Sequence, residues 1–91
     1  MIRSVRDKDT AKVLAGEFNK KFGAITRQAI RRFQALHYAK NLNDLRLPGY
    51  RLEKLSGDRE GQYSIRINEQ CRICFEWRED GVYNVEVTDY H

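Results

Sequence analysis

The chain has 91 residues, room for one domain with one modest core and no second module. Its 41% hydrophobic and 33% charged residues describe a soluble globular protein rather than a disordered one, and no apolar stretch nears the ~20 residues of a membrane span. Lys and Arg number 17 against 13 Asp and Glu, a formal charge of +4 that favours polyanionic partners, nucleic acid above all.

Ile2 to Val5 alternates like a short opening strand, and the start lacks the apolar segment of a secretory signal, so a cytoplasmic location is expected. Asp7 or Asp9 can cap a helix running to about Phe18, with Ala11, Leu14, Ala15 and Phe18 at helical spacing. After Gly23, Thr26 caps a second helix with Ile30, Phe33 and Leu36 or His37 facing inward. Arg27, Arg31, Arg32 and Gln34 form its outer face, which is read as solvated. Between Asn41 and Gly49 the chain is irregular: Leu42 and Leu45 tuck onto the core and Pro48-Gly49 turns.

The remainder reads as β-structure. Strands are expected at Tyr50 to Leu55, Gln62 to Ile67, Cys71 to Trp77 and Val82 to Tyr90. A polar loop, Ser56 to Gly61, separates the first two. Asn68-Glu69-Gln70 makes a tight turn, and Asp80-Gly81 is a hairpin signal. Alternation puts Tyr63, Ile65, Ile67, Cys71, Ile73, Phe75, Trp77, Tyr83, Val85 and Val87 on the helix-covered side. Glu53, Ser64, Arg66, Arg72, Cys74, Glu86, Thr88 and Tyr90 fall on the other, an open and mostly polar face able to hold a ligand. Cys71 and Cys74 spell C-x-x-C, but three strand steps part their Cα atoms by roughly 10 Å and turn the side chains to opposite faces. No second ligand pair exists for zinc, so both are read as ordinary small residues with no metal or redox cofactor of their own.

The sequence closes on Asp89-Tyr90-His91: a carboxylate, a phenol and an imidazole titrating near neutral pH. Such groups can move protons during phosphodiester cleavage. His91 is the natural acid or base, Asp89 can orient it, and Tyr90 can stack on a base or donate to phosphate. Strict alternation sets Tyr90 beside Arg72 but turns Asp89 and His91 away, so a shared site requires the strand to end, twist or bulge. Arg51, Lys54, Arg59 and Arg66 are candidate RNA contacts; Arg59 can also close its Gly-Asp-Arg loop through a salt bridge. His37, Phe75 and Trp77 are read as structural.

The segment from Leu52 to Gly61, read with Ser64-Ile65-Arg66, Arg72-Ile73-Cys74-Phe75 and Asp89-Tyr90-His91, resembles the HigB branch of the RelE/ParE toxin superfamily. About the last forty residues carry the likeness closely; the first half shares only the strand–helix–helix plan. The resemblance implies an α+β fold with two N-terminal helices on one face of a twisted antiparallel sheet, similar to the microbial ribonucleases, over residues 1–91. It implies a metal-free mRNA endoribonuclease acting in the ribosomal A site, neutralised by a HigA-like helix-turn-helix antitoxin. By position, Asp89, Tyr90 and His91 match the family's closing triplet, and Arg72 its phosphate-stabilising arginine. Glu53 stands where relatives often carry histidine: it could serve as general base toward the ribose 2′-OH, or repel phosphate. A ParE-like gyrase poison and a non-catalytic binding module are the alternatives, and the closing triplet argues against the first.

Overall fold

The computed structural model describes residues 1–17 and 22–89. Asp7 opens helix α1 (Lys8–Leu14), its carboxylate accepting from the Thr10 amide at 3.1 Å. The helix stops at Leu14, before the expected end, because the chain turns through Gly16 at φ +79°. Its buried residues are Thr10 and Val13; Ala11, Leu14 and Ala15, expected inside, face out, and Phe18 lies outside the described residues. A helix this short buries one narrow stripe, and three apolar residues on its flank misplace that stripe.

A 3₁₀ turn at Gly23–Ile25 leads into helix α2 (Thr26–Tyr38). Thr26 is not its cap: Ile25 holds that position, and the Thr26 hydroxyl donates to the Phe22 carbonyl at 3.1 Å. Ala29, Phe33 and Leu36 are buried, while Ile30 is half-buried and His37 exposed. Leu45 is fully buried at the end of a 3₁₀ turn, Leu42–Leu45, closed by reciprocal hydrogen bonds between Asn41 and Asp44.

Among the described residues four antiparallel strands follow in spatial order: β1 (Glu53–Lys54), β2 (Gln62–Arg66), β3 (Cys71–Arg78) and β4 (Gly81–Asp89). Ile65, Ile73, Phe75, Val82, Val85 and Val87 from the sheet meet Val13, Phe22, Ala29, Phe33 and Leu36 in one core. The expected strand from Tyr50 to Leu55 shrinks to two residues. Gly49 at φ +82° and Arg51 at φ +47° turn the backbone there, against strand geometry. The opening strand survives as two parallel bridges, Ile2 to Val82 and Val5 to Val85.

β4 carries a bulge. Cys74 pairs with Glu86 and Glu76 with Tyr83, so Asn84 and Val85 together oppose Phe75, with Asn84 at φ +53°. The extra residue reverses the strand's alternation, so Val82 faces the core and Tyr83, expected inside, turns to the surface. There its hydroxyl donates to Asp80 at 2.7 Å under the Arg78 guanidinium. Trp77 packs half-buried against the core. No helix among the described residues is long and apolar enough to cross a membrane.

Candidate phosphate-binding site

The helix-free face of the sheet carries two rows set by strand register. One runs Glu53, Ser64, Cys74, Glu86 across β1 to β4; the other runs Arg66, Arg72, Thr88 across β2 to β4. The centre of this face is not open as expected: Ser64 and Cys74 are fully buried. The Ser56 to Gly61 loop, with a 3₁₀ turn at Gly57–Arg59, folds back to this face. Arg59 reaches Glu86 at 2.9 Å and Gln62 at 3.1 Å, not its neighbour Asp58. With the Glu86 side chain only 20% exposed, that ion pair ties the loop to the sheet.

What stays open is one end of the face. Arg51, Glu53, Arg66, Asn68, Glu69 and Arg72 line a hollow of about 400 Å³. Arg72 donates to the Arg51 carbonyl at 2.8 Å and faces the Glu53 carboxylate at 3.5 Å. Its side chain is 15% exposed, against 55% for Glu53. Arg66 sits directly across the strand pair from Arg72 and donates to the Asn68 carbonyl at 3.0 Å. Like charges facing each other across a β-pair cost stability. Glu53 offsets part of that cost in the free protein, and phosphate oxygens between the two guanidiniums would offset more.

The structure therefore brings Arg51, Glu53, Arg66 and Arg72 together. Lys54 pairs with Tyr63 and belongs to the other side of the sheet edge. Asp89 pairs with Cys71, on the side opposite Arg72, and borders a small hollow with Phe22, Ala24, Ile25 and Gln70. Burial, and then the Asp89 charge, push the Cys71 thiol up from its ordinary value. Tyr90 and His91 lie outside the described residues.

Sequence reasoning passed over three contributors. Asn68 and Glu69 were read only as a turn, yet they border the hollow. The Asn68 side chain accepts from the amides of Gln70 and Cys71 at 2.8 Å each, an Asx turn foreshadowed by an Asn between two Arg-bearing strands. Arg32, assigned to the solvated helix face, instead donates to the Arg66 carbonyl at 2.8 Å and lies 4.1 Å over the Tyr50 ring. It fastens α2 to the strand end that carries the hollow, and no sequence periodicity signals that reach.

As chemistry, the hollow offers a sheltered cation to a phosphate and a carboxylate able to take a proton beside it. Among the described residues no group of three or more His, Cys, Asp or Glu side chains converges as a metal site.

A family model described as the RelE-like toxin of the type II toxin–antitoxin system HigB matches residues 6–91. The endoribonuclease HigB of Proteus vulgaris is 37% identical over 60 residues, covering 66% of this chain and 65% of that protein. Toxin HigB-1 of Vibrio cholerae serotype O1 is 42% identical over 60 residues, covering 65% of this chain and 62% of that one. The chain thus spans under two thirds of the length of these curated relatives. Among solved structures, the YoeB–YefM complex from Staphylococcus aureus superposes at a TM-score of 0.64 and 16% identity, covering 100% of this chain and 98% of that one. A heterotetrameric YoeB–YefM complex from the same organism gives the same values. At that identity the likeness establishes the fold.

Proposed function

The chain belongs to the HigB-like, RelE-like toxins of type II toxin–antitoxin systems, and from that premise we propose a metal-independent endoribonuclease that cleaves mRNA in the ribosomal A site. The observation that carries the reading is the pairing of Arg72 with Glu53 in a hollow shared with Arg66. A cation and a proton acceptor stand side by side where a phosphodiester fits.

In this scheme Glu53 takes the proton of the ribose 2′-OH, whose oxygen attacks the adjacent phosphorus. Arg72 meets the charge that builds on the pentavalent phosphate, a contribution typically worth ~10²–10³ in rate for a single well-placed donor. The bond to the 5′ oxygen then breaks, and His91 supplies the proton that oxygen needs. Tyr90 stacks on a base or donates to phosphate. Asp89, placed across the sheet from Arg72, fixes the end of β4 and does not reach the phosphate. Arg66 and Arg51 hold neighbouring phosphates of the message.

The same proposal gives the protein a HigA-like helix-turn-helix antitoxin as partner. Support comes from the family, defined by toxin–antitoxin pairs, and from the YoeB–YefM complexes that share the fold. Ribosomes programmed with a defined message, incubated with the protein and mapped by primer extension, test the activity. Cuts within the A-site codon that vanish in Arg72→Ala and His91→Ala are expected. A message left intact by the parent protein refutes the nuclease reading, and inhibition of gyrase supercoiling in its place would identify a ParE-like poison.

A further inference from the structure

We propose that Glu53 is a specificity-determining residue of the Arg72 hollow: its carboxylate stands in for phosphate, so an RNA phosphodiester reaches Arg72 only by displacing it. The inference rests on reading the hollow as the RNA-phosphate site, and adds what the resident carboxylate does there.

Carboxylate and phosphate oxygens are equivalent partners for a guanidinium, so the two compete for one position. Exposure decides which member of the pair moves. Arg72 is sheltered and held from behind by the Arg51 carbonyl at 2.8 Å, while Glu53 is mostly exposed. The Arg51 carbonyl is itself fixed, since the preceding residue's carbonyl accepts from the Arg66 amide at 2.6 Å. An incoming anion therefore meets the carboxylate first, and the guanidinium keeps its place.

Distance points the same way. A charge-assisted N–H···O bond closes to ~2.7–2.9 Å, whereas Arg72 and Glu53 stand 3.5 Å apart. So loose a pair, with its carboxylate mostly exposed, is an exchangeable one. Together with Glu69, Glu53 also leaves the hollow two carboxylates against three guanidiniums. A lone phosphodiester on free RNA gains little from so nearly neutral a site. A strand held by further contacts, as on a ribosome, can drive the exchange.

The test uses a 2′-O-methyl trinucleotide, which binds as RNA but cannot be cut. It is titrated into the parent protein, Glu53→Gln, Arg72→Gln and the double variant, followed by NMR shifts of the backbone amides around the hollow. Glu53→Gln is expected to tighten binding about threefold to tenfold, because one competing charge is gone. It should also steepen the dependence of log K on log salt by about 0.7, as one more phosphate is neutralised by the protein. In the Arg72→Gln background the same change should do nothing. Unchanged or weaker binding by Glu53→Gln, or an equal gain without Arg72, overturns the proposal. Tightening by Glu53→Gln while the parent protein leaves the message on ribosomes intact would sink the nuclease reading and leave this one standing; cutting by the parent without tightening in Glu53→Gln would do the reverse.

Discussion

Arg72 and Asp89 sit one register step apart on adjacent strands yet project from opposite faces of the sheet. Arg72 pairs with Thr88 over the helix-free side, and Asp89 with Cys71 over the core side. The two charged residues that sequence resemblance assigns to one active site are therefore separated by the sheet itself.

Mutating the two should give unequal results. Arg72→Ala should lower cleavage on programmed ribosomes by about 10²–10³, the loss of a preorganised charge at the developing phosphorane. Asp89→Asn should cost less than about tenfold, within what one positioning effect supplies. Single-turnover rates on the same programmed ribosomes measure both. Equal losses would mean that the end of β4 turns over when substrate binds.

The bulge in β4 gives a stability prediction. Asn84 holds φ +53°, and its side-chain amide donates to Glu76 across the strand pair. Replacing it with Ala removes that hydrogen bond and leaves a Cβ in the left-handed region, together about 2 kcal/mol. Asn84→Gly loses the hydrogen bond but not the backbone ease, and should cost about 1 kcal/mol or less. Urea unfolding separates them through the midpoint at unchanged slope. A Gly variant less stable than the Ala variant would contradict the backbone account.

Much of the fold was legible because periodicity records burial. Ile65, Ile73, Phe75, Val85 and Val87 follow the strand alternation, and Phe33 and Leu36 the helical one. Tyr83 failed because one left-handed Asn shifts the count by a residue, and a lone Asn among β-formers carries no such flag. Of the site, Arg72, Arg66 and Glu53 were legible as same-face strand positions. Glu69 and Arg32 were not, since a turn tip and a long side chain crossing from a helix leave no periodic trace.

Acid should weaken the fold partly through Glu76. Its carboxylate accepts from Arg78 at 2.7 Å and also from Asn84, and these bonds, the Arg78 one foremost, hold it below its ordinary value of 4.5. A carboxyl depressed in the folded state stabilises above its unfolded pKa and loses that contribution as pH falls through the folded one. The effect is small because solvent screens the pair. The stability gap between the parent and Glu76→Gln should therefore be constant at neutral pH and close below about pH 4.5. A gap that widens on acidification would reverse the assigned sign.

Thr10 offers a sharper test of how the helix layer holds the functional strand. It is fully buried, and its hydroxyl oxygen accepts from the Val87 amide at 2.9 Å. Val87 pairs with Ile73 and directly precedes Thr88, the residue opposite Arg72, so this one bond fastens α1 to the strand beside the hollow. Thr10→Val keeps the shape but leaves a buried N–H without an acceptor, at a cost of about 1–3 kcal/mol. Thr10→Ser keeps the acceptor and gives up only a methyl, about 1 kcal/mol. Amide exchange at Val87 should accelerate in the Val variant by more than global destabilisation explains, because its own bond is gone, and stay near the global rate in the Ser variant. Equal protection of Val87 in both would mean that packing, not this hydrogen bond, holds β4 in register.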